Sequence, residues 1–589
     1  MPPADRAALM DRLQKIVGRR HLLTGRRQTY RFRTGYRFGG GDAAAVVRPG
    51  SLIEQWRVLQ ACASAGVAII MQAANTGLTG GSTPDGSEYD RDVVIINTTR
   101  MTTIHMLDGG RQIVCLPGAT LYRLEQILRP LGREPHSIIG SSCIGASVMG
   151  GVCNNSGGSL VQRGPAYTEL ALYAQMDEGG TLSLVNHLGI ALGDDPETIL
   201  DRVERGDFTD ADVVNDPKRR ASDRDYASHV RDIDAVTPAR FNADQRNLFE
   251  ASGSAGKLAV FAVRLDSFVS DGEVGSFYIG TNDPGQLTDL RRDMLRDFAS
   301  LPVAAEYMHR TAFDIAARYG KDTFLAIRWL GTDRLPSLFA LKSRLDGWLT
   351  AVGLGGRGLS DRWLNRLAAL WPQHLPSRLL DWRDRYEHHL MIKMAGVGID
   401  EARAYLLGKL NDNGGAFFEC TPDEADKAFL HRFAVAGAAV RYREVHRRAV
   451  EDIVALDIAL PRNERDWFEQ LPQGLDEDVL HSLYYGHFFC HVFHQDYVVR
   501  KGTDVHALEH RLLALQDARG AEYPAEHNVG HLYPAKPALA RFYRELDPAN
   551  CMNPGIGQMS KAPGYGACRT CDDAALPARD GLASHDGIA

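Results

Sequence analysis

QAANTGLTGGSTP, residues 72–84, and GSSCIGASVMGGVCNNSGG, residues 140–158, decide the fold. Each is a run of Gly, Ser, Thr and Asn between apolar segments, so its backbone can take positive φ and present several N–H groups to a ligand. That composition suits a pyrophosphate. One such loop reads as an ordinary turn; two of them, both after strand-like runs, point to a dinucleotide. Neither has the Rossmann pattern, G-x-G-x-x-G on a strand-to-helix turn with an acidic residue further on. The literal match, Gly353-Leu-Gly-Gly-Arg-Gly358, follows a helical pattern (Leu345, Trp348, Leu349, Val352) and is read as accidental.

Outward from the first loop, Val46-Val47 is a strand, and Ser51-Leu-Ile-Glu54 is a capping box. It opens a helix with the stripe Leu52, Trp56, Leu59 and Cys62 that Gly66 stops. Val67–Met71, Val93–Asn97 and Ile113–Leu116 are further strands, and Leu121–Leu131 repeats the helical stripe. Together they make two small α+β subdomains. A short amphipathic helix (Leu9, Leu13, Ile16, Val17) and an Arg-rich stretch precede them as a solvated lead-in. Residues 195–250 are polar and read as an insertion. From Tyr278 strands and helices alternate as a second domain.

At 589 residues the chain holds two to four domains. Its 44% hydrophobic and 24% charged residues are ordinary for a globular protein, and a net charge of −7 argues against nucleic acid as a general partner. Nine irregularly spaced cysteines, with no apolar signal core at the start, point to reduced thiols in the cytoplasm. The C-x-x-C at Cys568 and Cys571 has no second pair, which argues against zinc. With no apolar run of about 18 residues, any membrane contact is peripheral.

Val46-Val-Arg-Pro-Gly-Ser, Asn75-Thr-Gly-Leu-Thr-Gly-Gly-Ser, Cys143-Ile-Gly-Ala-Ser-Val with Asn154-Asn-Ser-Gly-Gly, Glu526-His-Asn-Val-Gly and Asp547-Pro-Ala-Asn-Cys-Met-Asn-Pro-Gly resemble the vanillyl-alcohol oxidase (PCMH-type) FAD-binding family. Within it they are most similar to the respiratory, quinone-dependent D-lactate dehydrogenases of bacteria. The resemblance implies an FAD-binding domain of two α+β subdomains over 1–267, with 521–589 returning to it. It also implies an α/β cap (substrate) domain over 268–310, 390–425 and 450–520, and a small basic helical membrane-facing region over 311–389 and 426–449. FAD would be lined by Ala73, Ala74, Asn75, Thr76, Gly77, Gly81, Ser82, Gly140, Ser147, Gly157 and Val260. The first loop lacks the His that some relatives link to flavin. Cys143 and Cys153 read as buried structural thiols, so FAD is expected to be noncovalent.

Five of the seven tryptophans (329, 348, 363, 371, 382) fall in residues 321–389, where eleven Lys and Arg face seven Asp and Glu, a local balance of +4. A further basic piece runs from His431 and Arg432 through Arg441, Arg443, Arg447 and Arg448. By composition this is either a helical core or a surface for anionic lipid. The resemblance favours the membrane, at the cytoplasmic face of the inner membrane, where a quinone is met.

His487, His491, His494 and the Glu526-His527 pair form the chemical cluster. In soluble relatives the pattern G-H-x-G-D-G-N-x-H and a G-E-H-G motif bind a divalent metal and supply a base. Here His487 and His494 keep the seven-residue separation, but Phe489-Cys-His-Val replaces the centre and Ala525 replaces a Gly. His487, His494 and Glu526 are therefore either a metal site or a metal-free hydrogen-bonding cluster. Oxidising a 2-hydroxy acid needs a cation for the carboxylate, a base for the hydroxyl proton and a flavin N5 facing the α-hydrogen. The resemblance assigns His527 as base and Arg432 as carboxylate clamp; Arg432 as a membrane-facing arginine is the other reading. Arg462, close by in sequence, is a second candidate clamp. A lysine that assists in some relatives is Ala455 here, which argues against a bulky dicarboxylic substrate. The implied function is oxidation of D-lactate to pyruvate with electrons delivered to membrane quinone. The alternatives are a soluble 2-hydroxy-acid dehydrogenase with a protein acceptor and a non-catalytic flavin-binding scaffold.

Overall fold

The computed structural model describes residues 3–137, 145–214, 216–330, 366–368, 370–410 and 414–566. Gly140, Cys143, Trp348, Trp363, the Gly353–Gly358 match, Cys568 and Cys571 lie outside the described residues.

Three large sheets, with two two-stranded ones beside them, carry the described residues. The first has four strands, Leu22–Leu23, Ala45–Val47, Val93–Asn97 and Ala68–Gln72 in that spatial order, the last three parallel. Parallel strands need crossovers; the Leu52–Ser64 helix carries the chain from Ala45–Val47 to Ala68–Gln72 on the far side of Val93–Asn97, and its Ser51 cap accepts the Glu54 N–H on Oγ at 3.1 Å. Alternate residues of these strands enter two apolar clusters, Val46, Ile70 and Ile95 on one face and Val47, Ile69 and Ile96 on the other. Burial on both faces explains why these strands read as continuous apolar runs. The lead-in is more than solvated: the Pro3–Val17 helix buries Leu9, Leu13 and Val17 beside Trp56, and the Arg26–Arg33 helix buries Phe32 under the sheet. The 195–250 stretch is likewise tied in, through Ile199, Leu200 and Val203 of the Pro196–Arg205 helix.

The second sheet is antiparallel, in the order Leu182–Asn186, Ala171–Met176, Ala259–Asp266, Gln112–Cys115 and Ile104–Leu107. The third has seven antiparallel strands: Ala416–Glu419, Val274–Thr281, His388–Ala395, Ala304–His309, Val479–His487, Val492–Arg500 and Val450–Ala459. Helices Pro284–Asp297, Gly398–Leu410 and Val505–Ala518 cover one face. Helices Arg310–Tyr319, Pro422–Phe433 and Val435–Val445 cover the other, so the core of this domain continues into residues 311–330 and 426–449.

The carboxy-terminal segment returns to the first sheet. Ile69 N–H donates to Cys551 O at 2.8 Å, Asn553 N–H donates to Ile69 O at 2.7 Å, and the fully buried Lys257 and Asp547 pair at 3.5 Å. This return carries residues 526–531 past the first glycine loop, where Thr79 Oγ1 donates to Asn528 O at 2.7 Å. No described helix is long and apolar enough to cross a membrane.

Candidate active site

Residues directly opposite across a ladder share a face. Glu306 stands opposite His487, Tyr485 opposite His494, and His494 opposite Asp457, so strand register alone gathers these five side chains on one face of the seven-stranded sheet. Helix Pro422–Phe433, started by a Thr421–Glu424 capping box, lies on that face and delivers Arg432 from its last turn. The carboxy-terminal return delivers Glu526 and His527, locked by Ala525 N–H to Asp457 O at 3.0 Å and Glu526 N–H to Asp457 Oδ2 at 2.7 Å.

The contacts form two linked chains. In the first, Arg432 Nε is 2.7 Å from Glu306 Oε2, His487 Nδ1 is 2.6 Å from Glu306 Oε1, and His487 Nε2 is 3.1 Å from Glu526 Oε2. Glu526 Oε1 is in turn held by Arg240, a buried guanidinium that also donates to the carbonyls of Gly158 and Leu160. In the second, Asp457 takes His527 Nδ1 at 2.6 Å and His494 Nδ1 at 3.2 Å. The Arg432 guanidinium carbon sits 4.9 Å above the Tyr485 ring, and its buried Nη2 has no hydrogen-bond acceptor among the described residues.

Burial alone would suppress every charge here, and the pairing outweighs it. Desolvation lowers the His487 pKa, yet Glu306 and Glu526 raise it to about 9. Desolvation raises Glu526, yet His487 and Arg240 bring it down to about 2. Glu306 is likewise held below its usual range by Arg432 and His487, and Asp457 well below its own by His527 and His494. His527 is raised by Asp457 against its burial.

The first glycine loop is fastened largely through side chains and carbonyls. Gln72 Nε2 donates to Ser82 O at 2.7 Å, Asn97 Nδ2 to Ala73 O at 3.0 Å, and Ser82 Oγ to Asn75 Oδ1 at 2.9 Å. The N–H groups of Ala73, Ala74, Asn75, Thr76 and Gly77 donate to no acceptor among the described residues. Asn75 turns the chain at φ 55°, and nothing lies within 4 Å of where a Cβ on Gly77 would stand. Such a row of unspent donors fits a pyrophosphate, so these residues fit FAD. Gly81 is required by close approach, since a Cβ there would stand 2.9 Å from Asn528 Nδ2. Gly157 backs directly onto Glu526, joining the second loop to the imidazoles. Ser147 Oγ accepts the Gly150 N–H at 3.0 Å, Val260 packs with Val148 and Met149, and the partly buried Cys153 has its thiol pushed up to about 11 by desolvation.

His487, His494 and Glu526 offer donor atoms within 4.8 Å of one another, and two imidazoles with a carboxylate fit a divalent transition metal. An ion there would replace the proton that His487 Nε2 shares with Glu526.

Arg462 is not a clamp: it is buried away from the cluster, donating to Thr237 O at 3.0 Å and to the His229 carbonyl. His491, buried at the turn, meets Pro461 O at 2.9 Å and is no part of the site. Sequence reasoning overlooked Glu306, Arg240 and the bridging role of Asp457. Glu306 and Asp457 each carry a signal that could have found them, a carboxylate inside an apolar run: AAEYMH, a whole strand, and VALDIA, the later part of the strand Val450–Ala459. Arg240 carries none.

Two family models match the chain: "FAD binding domain" over residues 43–182, and "D-lactate dehydrogenase, membrane binding" over residues 276–565. The quinone-dependent D-lactate dehydrogenase of Escherichia coli (strain K12) is 59% identical, covering 95% of this chain and 98% of that one. Its namesake from Corynebacterium glutamicum is 44% identical over 94% of this chain and 96% of that one. Among solved structures, 4-ethylphenol oxidase from Gulosibacter chungangensis superposes with a TM-score of 0.56 at 12% identity, covering 96% of this chain and 98% of that one, a likeness of fold alone. Identity of this order along nearly the whole length, over a site whose amides fit FAD and two of whose imidazoles share one buried carboxylate, means that the chain belongs to the quinone-dependent D-lactate dehydrogenases.

Proposed function

We propose that the face of the seven-stranded sheet bearing Asp457, His527, His487, His494 and Arg432 is where D-lactate is oxidised. The activity is that of the family, oxidation of D-lactate to pyruvate with electrons passed through FAD to quinone. The observation that carries the assignment of roles is Asp457, which engages two imidazoles and the Glu526 amide beside an arginine with a buried, unsatisfied N–H.

Arg432 Nη2 receives a carboxylate oxygen of the substrate, a charge-assisted bond made in a desolvated place. His527, its Nδ1–H held by Asp457, directs Nε2 at the hydroxyl and takes its proton, and Asp457 stabilises the imidazolium that results. His487 and His494 polarise the hydroxyl oxygen, directly or through a metal that they would hold with Glu526. Ala73–Gly77 and Gly81 would hold the FAD pyrophosphate. Bound FAD supplies the two-electron acceptor for the hydride that leaves the substrate carbon. Arg432→Met is expected to raise the KM for D-lactate about 10–100-fold with a smaller change in kcat, the loss of one charge-assisted bond. Steady-state kinetics with an unchanged KM would remove Arg432 from the substrate.

The protein is peripheral to the membrane, and the surface we assign to anionic lipid lies at residues 321–330 and 366–382. Trp329 (56% exposed) and Trp371 (49% exposed) meet edge to face at 4.8 Å, with Leu370 (82% exposed) beside them in the chain. Trp382 instead packs against Phe418 as part of the core, so the tryptophans divide between the two readings of their composition. An apolar, aromatic edge with basic neighbours fits a headgroup layer, at the cytoplasmic face. Leu370→Glu with Trp371→Glu is expected to weaken co-sedimentation with anionic vesicles, and Arg366→Glu to do so most at low salt. Unchanged sedimentation of all three would place the lipid surface elsewhere.

A further inference from the structure

The cluster has a second guanidinium beside it, from a part of the chain that contributes nothing else to the site. Arg37 sits on the turn between Thr34 and Gly40, and its Nη2 lies 3.9 Å from Asp496 Oδ1, an ion pair too long to be a hydrogen bond. No hydrogen bond to Arg37 exists among the described residues, and its side chain is one-third exposed. Asp496 lies on the same sheet face as His494, two residues along the strand, and its Oδ2 already accepts the Tyr485 hydroxyl at 2.8 Å. Its cross-strand neighbours are Ala455 and Leu483. The contact with Asp496, on the His494 face of the strand, puts Arg37 on the imidazole side of the sheet.

The turn that carries it is built onto the first glycine loop. Gln72 Nε2 donates to Phe32 O at 2.6 Å, Asn75 Nδ2 donates to Thr34 O at 2.9 Å, and a Cβ on Gly39 would stand 2.9 Å from the Gly80 Cα. The loop that holds the cofactor therefore also sets the position of Arg37. A guanidinium without hydrogen bonds among the described residues, one-third open to solvent and held by one distant carboxylate, is in the state that a ligand anion would complete.

We infer that Arg37 is a second carboxylate-binding residue for the 2-hydroxy acid, closing onto the substrate from the amino-terminal turn while Arg432 holds it from the helix side. This rests on the reading of the Asp457–His527 face as the substrate site. The Arg37 side chain then leaves Asp496 for the substrate, while the turn stays fastened to the glycine loop.

The test uses the full-length, FAD-loaded enzyme with Arg37→Met and Arg37→Lys, reading KM for D-lactate and the inhibition constant of oxalate as a non-reacting carboxylate probe. The expected result is a rise of about 10–100-fold in both constants for Met, partial recovery for Lys, and kcat within a few-fold. Constants within twofold of wild type, or a loss confined to kcat, would overturn it. Arg432→Met separates the two levels: an effect there with none at Arg37 retires Arg37 alone, whereas no effect at either position retires the site.

Discussion

His527→Ala is expected to lower kcat by about 10²–10⁴-fold, the usual contribution of a positioned general base, while the enzyme retains its flavin. Loss of activity alone would not distinguish a base from a structural imidazole, and the pH profile does. The base must be neutral to accept the hydroxyl proton, and Asp457 raises the His527 pKa above its ordinary 6.5. The kcat/KM of the wild-type enzyme should therefore fall as pH drops through that raised value. Asp457→Asn removes the carboxylate that stabilises the imidazolium, so it should lower the rate and at the same time shift the acidic limb to lower pH. It also leaves an amide that can bind either tautomer. A variant that is slow but titrates where wild type does would mean that His527 is not the group being read.

How much of this site the sequence discloses follows from the separations between its members. His487 and His494 flank a single strand connection, and Glu526 and His527 are adjacent, so spacing alone exposes them. The two glycine loops betray themselves by composition, because a backbone that binds a pyrophosphate through N–H groups must give up side chains. Glu306 lies 181 residues from His487, and Arg240 lies 286 from Glu526; only the register of the sheet and the return of the carboxy terminus bring them together. Arg432 can be found in sequence but not judged there. Its helix is one among several basic segments, and only packing shows its guanidinium turned inward to Glu306 and not out to lipid. The tryptophans are the same problem in reverse, since composition is identical for the core residue Trp382 and the exposed Trp329 and Trp371.

Arg240→Met is expected to destabilise the folded enzyme by about 3–5 kcal/mol, because it strands a buried carboxylate that has lost one of its two cations. Arg240 is nearly inaccessible, and it fastens three things at once: the Glu526 carboxylate and the carbonyls of Gly158 and Leu160. The second glycine loop and the imidazole cluster are thereby one unit, so weaker flavin retention should accompany the loss of stability. The pH dependence carries the sign of the effect. Glu526 has its folded pKa depressed from 4.5 to about 2, so its contribution is complete above 4.5 and is lost as pH falls toward 2. Without Arg240 the depression is smaller, and acid should unfold the variant at a higher pH than it unfolds wild type. Adding Glu526→Gln to Arg240→Met removes the stranded charge and should recover much of the stability, measured by denaturation at pH 7 and across the acid limb. If the double variant is as unstable as the single one, the guanidinium serves the two backbone carbonyls, and Glu526 depends on His487 alone.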